Sequence, residues 1–325
     1  MLLLGNIPWT MATPNVDLND LDNHEIPQKR AEHKALTIIG GFFKLAKNSK
    51  FQWSQFLRVS PMIYKAPNLV VSAFQTSPDN HVYLSVYDKV KLYPVAVFHV
   101  IHPVVVNRPK RPKSIQWKED TQMVPLSGNP SEKIDGATSE DFKQIYQELI
   151  PNFKKGIRYY ARGHLAPCGD FSTIEEQEVT FFLSNAAPMS QPLNGHKWLA
   201  MERVLRLYSD TYQKELFIIT LCSGEMLDGS TSQALKLHDR VTVPRWFGKV
   251  IIDPYTNECV MVSAENDIQG GDIFLWDDLN HNTIRQMFPE QIGYLELDCN
   301  PSGKPNRMIR AVKQLAPSTF ELPKN

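Results

Sequence analysis

Two kinds of hydrophobic pattern alternate along the chain. Between Leu69 and Val106, β-branched and aromatic residues come in short runs, at 70–74, 81–87 and 93–101, with turn-forming residues between them. Such runs predict neighbouring strands of one sheet. Residues 216–221 are almost continuously apolar and the run ends at Gly224, which predicts a strand buried on both faces. Residues 243–253 and 259–264, separated by a turn at Pro254 to Asn257, predict a hairpin. Elsewhere the spacing is helical. Phe142, Ile145, Tyr146 and Leu149 share one face of a helix that starts near Ser139 and Glu140. From Asn194, the positions Trp198, Met201, Leu205 and Tyr208 recur on one face of another. A last helical stretch begins at Trp276 and carries Ile284, Met287 and Phe288; Asp277 and Asp278 at its head are read as a cap on the helix dipole rather than a metal pair. The fold class expected is α+β, an antiparallel sheet with packed helices.

The pattern divides the chain into an N-terminal extension, residues 1–60, and a domain of residues 61–325. The extension holds one short apolar stretch from Ala35 to Ala46, predicted as a docking helix because a bilayer span needs about 20 residues. No membrane association is expected. After Met1 the apolar run stops at Gly5, so no secretion signal is legible, and Asp17, Asp20, Asp22 and Glu25 speak against a transit peptide. The expectation is an intracellular protein, the mitochondrion included, with secretion as the alternative if a signal lies upstream.

Charge and cysteine content narrow the chemistry. The 35 basic and 35 acidic residues cancel, so any contact with nucleic acid must rest on a local surface. The densest positive run is Asn107 to Lys113, an extended loop with Arg108, Lys110, Arg111 and Lys113 between prolines. It reads either as a solvated loop or as a phosphate-gripping arm, a positive surface that Lys154, Lys155 and Arg158 could extend. Ser114 to Ala137 reads as a variable loop. The four cysteines form no Cys-x-x-Cys pair, which argues against a zinc site, and Cys168 is read as space-filling. His99 and His102 are read as core or edge residues with no carboxylate partner at ligand spacing.

The chemistry concentrates between Tyr159 and Arg206. His164 follows Arg162 and Gly163, and about thirty residues later Asn194 heads the amphipathic helix that also carries Glu202. An imidazole titrates near neutral pH and can take a proton from water. Gly163 lets the backbone approach a ligand, and Arg162 supplies a fixed cation for phosphate oxygens. A carboxamide oxygen on Asn194 suits a hard divalent cation that keeps most of its waters. Glu202 lies eight residues on, about 80° round the wheel and about 12 Å along the axis, a place from which it can hold metal-bound waters. These parts can hydrolyse a phosphodiester.

The segments Ala161-Arg162-Gly163-His164, Ser184-Asn185-Ala186-Ala187-Pro188 and Leu193-Asn194 with Trp198 and Glu202 resemble the DNA/RNA non-specific endonuclease family, the ββα-metal or His-Me finger nucleases. Ala161, where the commonest motif has Asp, is similar to the arthropod branch. Val243-Pro244 with Phe247, Lys249 and Val250 resembles another family strand, and the likeness spans roughly Tyr93 to Leu297. It implies His164 as general base, Arg162 and Asn185 as active-site residues, Asn194 as ligand of Mg2+ or Mn2+, Glu202 as holder of metal waters, and Arg108 or Arg111 on the phosphate. It also implies DNA and RNA as substrates, 5′-phosphate products and a homodimer as one assembly; the alternative is a catalytically inactive nucleic-acid-binding relative.

Overall fold

The computed structural model describes residues 57–59, 66–77, 80–105, 107–126, 134–143, 159–229, 231–276, 281–297, 307–315 and 319–320. The predicted helix at Ala35 to Ala46, most of the one from Ser139 to Leu149, the cations Lys154, Lys155 and Arg158, and Asp277 and Asp278 lie outside these residues.

The strands are β1 Leu57–Val59, β2 Leu69–Ser77, β3 Asn80–Asp88, β4 Tyr93–Ile101, β5 Val124–Pro125, β6 Tyr160–His164, β7 Ala186–Ser190, β8 Leu216–Ser223, β9 Lys236–Leu237, β10 Val241–Thr242, β11 Trp246–Asp253, β12 Glu258–Glu265, β13 Ile273–Trp276 and β14 Leu295–Leu297. The helices are α1 Ile174–Val179, α2 Trp198–Tyr212, α3 Asn282–Met287, α4 Pro289–Tyr294 and α5 Arg307–Leu315. Eight strands form one sheet in the order β13-β12-β11-β8-β4-β3-β2-β5, antiparallel throughout. Its axis is β8, hydrogen-bonded to β4 on one side and β11 on the other. The mixed α+β architecture is the one the hydrophobic pattern implies.

Every residue of β4 and β8 is buried, so both faces of the sheet centre are covered. Side chains alternate along β11 and show what covers each face. Phe247 meets the Trp198 ring of α2 edge-on at 5.9 Å, and the Lys249 ammonium lies over the same ring at 5.8 Å. Gly248, between them, turns to the other face, where an added Cβ would stand 2.7 Å from a Phe288 ring carbon. That face is closed by α3 and α4, which donate and accept bonds at the end of β8: Ser223 Oγ to the Met287 carbonyl, and Gln291 Nε2 to the Cys222 carbonyl at 2.7 Å.

The structure corrects four sequence expectations. Trp276 ends a strand rather than opening a helix, because its ring packs on β12 and its Nε1 donates to Ser263 Oγ at 2.8 Å. Within the loop 114–137, residues 118–125 are tied to the fold. Lys118 exchanges backbone bonds with Phe181 and Leu183, Asp120 accepts from Ser184 Oγ, and β5 pairs with β2. Asp141 to Lys143 form a 3-10 turn tied by Thr138 to the Asp141 carboxylate. Finally, His99 does have a carboxylate partner, Asp170 at 2.8 Å, and His102 has Glu215 at 3.3 Å; both acids are distant in sequence.

Cys168 and Cys222 are free thiols, and Cys259 is disulfide-bonded. Among the described residues no helix is long and apolar enough to cross a membrane.

Candidate active site

Beside the large sheet, β6 and β7 pair antiparallel, with His164 opposite Ala186 and Tyr160 opposite Ser190. The chain then turns through Leu193–Lys197 into α2, completing a β-β-α unit. Gly163 serves this unit rather than a ligand: a Cβ there would stand 2.6 Å from Met189 Cβ and 3.3 Å from the Ala187 carbonyl, so the two strands approach only over glycine. The turn before α2 is π-helical, with the Trp198 N–H reaching back to the Leu193 carbonyl. The wider turn changes the phase between Asn194 and Glu202, so the ideal helical wheel does not measure their angle. Such turns are frequent at functional sites.

Two buried asparagines fasten the ends of this unit. Asn185 Oδ1 accepts from the Ala166 N–H at 2.8 Å, and its Nδ2 donates to the Ala166 and Thr180 carbonyls at 2.9 and 2.8 Å. Its own carbonyl takes the Leu165 N–H. Asn185 thus spends its amide on the backbone just past His164. Asn266 does the same for the far end of β7: it accepts from Ser190 N–H at 2.7 Å and donates to the Pro188 and Pro244 carbonyls.

His164 is half-buried in an aromatic corner. Trp117 lies across it at 4.5 Å, and Phe181 meets it edge-on at 4.8 Å. Nε2 is enclosed without a hydrogen-bond partner. Burial, aided by the charge of Arg111, pushes the imidazole pKa down to about 3. The ring is therefore neutral at physiological pH, as a general base must be.

The predicted arginines go three ways. Arg162 donates to the Ser139 carbonyl at 3.1 Å, and its guanidinium sits 5.9 Å from the Trp117 ring and 5.7 Å from that of Phe142. Arg108 is consumed: it donates to the Asp170 and His102 carbonyls and to Asp210 Oδ1 at 2.6–2.8 Å. Arg111 is exposed, with its guanidinium 4.9 Å from the Phe181 ring and its charge felt by His164.

Behind His164 lies a buried charge network. Asp170 accepts from His99 Nε2 at 2.8 Å and from Arg206 at 2.7 Å. Burial alone would raise the Asp170 carboxyl; the His99 bond and the Arg206 charge outweigh it and hold the pKa at about 2. Glu202, on α2, is pushed up to about 7, by burial first and by Asp170 second, against the pull of Lys249 and Arg206. Burial also pushes the Cys168 thiol up, so it is not poised as a thiolate.

Asn194 is half-buried, and its amide makes no hydrogen bond among the described residues. Among them, too, no three His, Cys, Asp or Glu side chains gather as a chelating group. A soft metal held by several side chains does not fit this donor set; a hydrated hard cation on one carboxamide does.

The profile of the DNA/RNA non-specific endonuclease family matches residues 67–281, about two thirds of the chain. This chain belongs to that family. It is similar to the salivary endonuclease of Lutzomyia longipalpis, 24% identical over 190 residues, which make up 57% of this chain and 46% of that protein. It thus spans about half the length of this curated relative. Among solved structures, a crystal structure of the EndoG/EndoGI complex, concerned with the mechanism of EndoG inhibition, matches at 20% identity and a TM-score of 0.42, covering 60% of this chain and 74% of that one.

In this endonuclease-family chain the motif residues divide into two groups. His164, Arg111 and Arg162 meet around Trp117 and Phe181, while Glu202, Asp170, Arg206 and Lys249 form the network behind them. Cys168 feels both Arg111 and Glu202, so the two groups share one electrostatic neighbourhood. Sequence reading missed Trp117, Asn266, Thr220 and the role of Lys249. Only Lys249 carried a signal, as a charge in the middle of an apolar strand.

Proposed function

We propose that this chain is a metal-dependent endonuclease that hydrolyses phosphodiester bonds of DNA and RNA with little sequence preference. The observation that carries this reading is His164: a neutral imidazole beside an exposed arginine and in the same β-β-α unit as an uncommitted carboxamide. In it, Nδ1 takes a proton from a water molecule as the water oxygen bonds to phosphorus and the bond from phosphorus to the 3′ oxygen breaks, which leaves a 5′-phosphate end and a 3′-hydroxyl end protonated from solvent; Trp117 and Phe181 keep the ring from turning. Arg111 holds the phosphate; Arg108, already spent on Asp210 and two carbonyls, does not. Asn185 positions His164 through the following backbone, and Glu202 would hold waters of an ion bound at Asn194. Arg162 keeps Trp117 against His164. Bound at Asn194, Mg2+ or Mn2+ would supply positive charge to the phosphate oxygens.

Backbone cleavage needs no contact with a base edge, which is why indifference to sequence accompanies this arrangement. Ala161 favours a second reading, a relative that binds nucleic acid without cutting it. Digestion of plasmid and of RNA with Mg2+, alongside His164→Ala and Asn194→Ala, decides between them. Cutting by the unmodified chain alone supports the enzyme; identical residual cutting by all three supports the inactive relative. The proposal extends to a homodimer, tested by sedimentation. The proposed address stays intracellular or, with a signal upstream, secreted; the disulfide at Cys259 supports the second.

A further inference from the structure

Lys249 is a full-length ammonium side chain at the centre of the sheet, 1% exposed, on a strand whose other members from Phe247 to Ile252 are apolar or glycine. Placing a charge there costs solvation, and an apolar residue of the same volume would pack with less loss. Its surroundings show where the charge is spent. Lys249 stands opposite Thr220 in the β8–β11 register. Its Nζ donates to Thr220 Oγ1 at 2.6 Å and to the Leu165 carbonyl at 3.3 Å, and Thr220 Oγ1 donates to that same carbonyl at 2.8 Å. Leu165 directly follows His164, and its N–H is already held by the Asn185 carbonyl. Lys249 also exerts the largest charge influence on Glu202, ahead of Asp170, Arg206 and Arg203. The other ionisable groups that act on it are Asp170, Arg206 and Cys222.

We infer that Lys249 is a positioning residue for hydrolysis: its Nζ fixes the backbone behind His164, directly at the Leu165 carbonyl and through Thr220 Oγ1 as a relay. This rests on the endonuclease reading above and adds to it a residue that touches neither substrate nor ion.

The test is steady-state cleavage of plasmid and RNA with Mg2+ by Lys249→Met and Thr220→Val, with thermal unfolding of each. Lys249→Met is expected to lower kcat about 10–100-fold, the range for residues that orient a metal-site group, with KM for the nucleic acid unchanged and the Tm equal or higher. Thr220→Val, which removes the relay and leaves the charge, gives a smaller loss of kcat. Unchanged kcat in Lys249→Met would overturn the inference. So would parallel losses of Tm and kcat in both Lys249→Met and Thr220→Val, the mark of a merely structural pair. If the unmodified chain cuts nothing with any divalent ion, it is the endonuclease reading that fails, and a stabilised Lys249→Met would not rescue it.

Discussion

Two side chains at the centre of the site titrate in opposite senses. The His164 pKa of about 3 lies below the ordinary imidazole value of 6.5, so between these values the unfolded chain binds a proton that the folded one does not. That contribution to stability is whole above about pH 6.5 and drains away as pH falls toward 3. Glu202 does the reverse: its pKa of about 7 exceeds the ordinary 4.5, and its contribution is whole below about pH 4.5 and lost as pH rises through 7. Thermal melts of His164→Phe should therefore lose less stability on acidification than the parent, and melts of Glu202→Gln should lose less on going from pH 5 to pH 8. For activity, His164→Ala should lower kcat by about 10²–10⁴-fold, the usual worth of a general base. The arginines separate cleanly. Arg111→Ala should raise KM and reduce the salt slope of binding by about one charge with no change in Tm. Arg108→Ala should instead cost about 2–4 kcal/mol in chemical denaturation, because Asp210 and two carbonyls lose their donor.

At the scale of elements, the β-β-α unit is held more by backbone clamps than by its own ladder. Asn185→Ala removes three side-chain hydrogen bonds and leaves buried backbone groups unpaired; about 2–4 kcal/mol of stability should go, with kcat, measured by urea melts and plasmid relaxation. Gly163→Ala should be comparably damaging, since the Met189 Cβ cannot move aside without parting β6 from β7. What the sequence disclosed follows the same division. Runs such as 93–101 and 216–221 announced β4 and β8 because strand burial depends on local composition. The helix that carries Glu202 was legible because helix spacing is local too; the π turn that holds Asn194 was not. Asn266, Trp117 and the His99–Asp170 pair were not, because each acts on a partner dozens of residues away. Arg108 misled for the same reason: a cation in a basic loop looks available until Asp210 is seen beside it.

For the whole molecule, the cation and the fold should prove separable. Chelation with EDTA is expected to abolish cleavage while leaving the melting curve unchanged, because the one ligand proposed for the ion, Asn194, leads into a helix already fixed by Trp198 and Phe247. The pairing of β1 with β14, residue 57 opposite residue 297 and residue 59 opposite residue 295, sets a different limit. It brings two distant parts of the chain within one hydrogen bond of each other. Trimming to the 67–281 span would remove both strands, strip α3 and α4 from one face of the sheet and take away α5, which packs on α2 and β12. A short polypeptide cut to the conserved homology region would thus come out sticky and poorly soluble. A span that keeps residues 57–315 should be tolerated better than any such truncation.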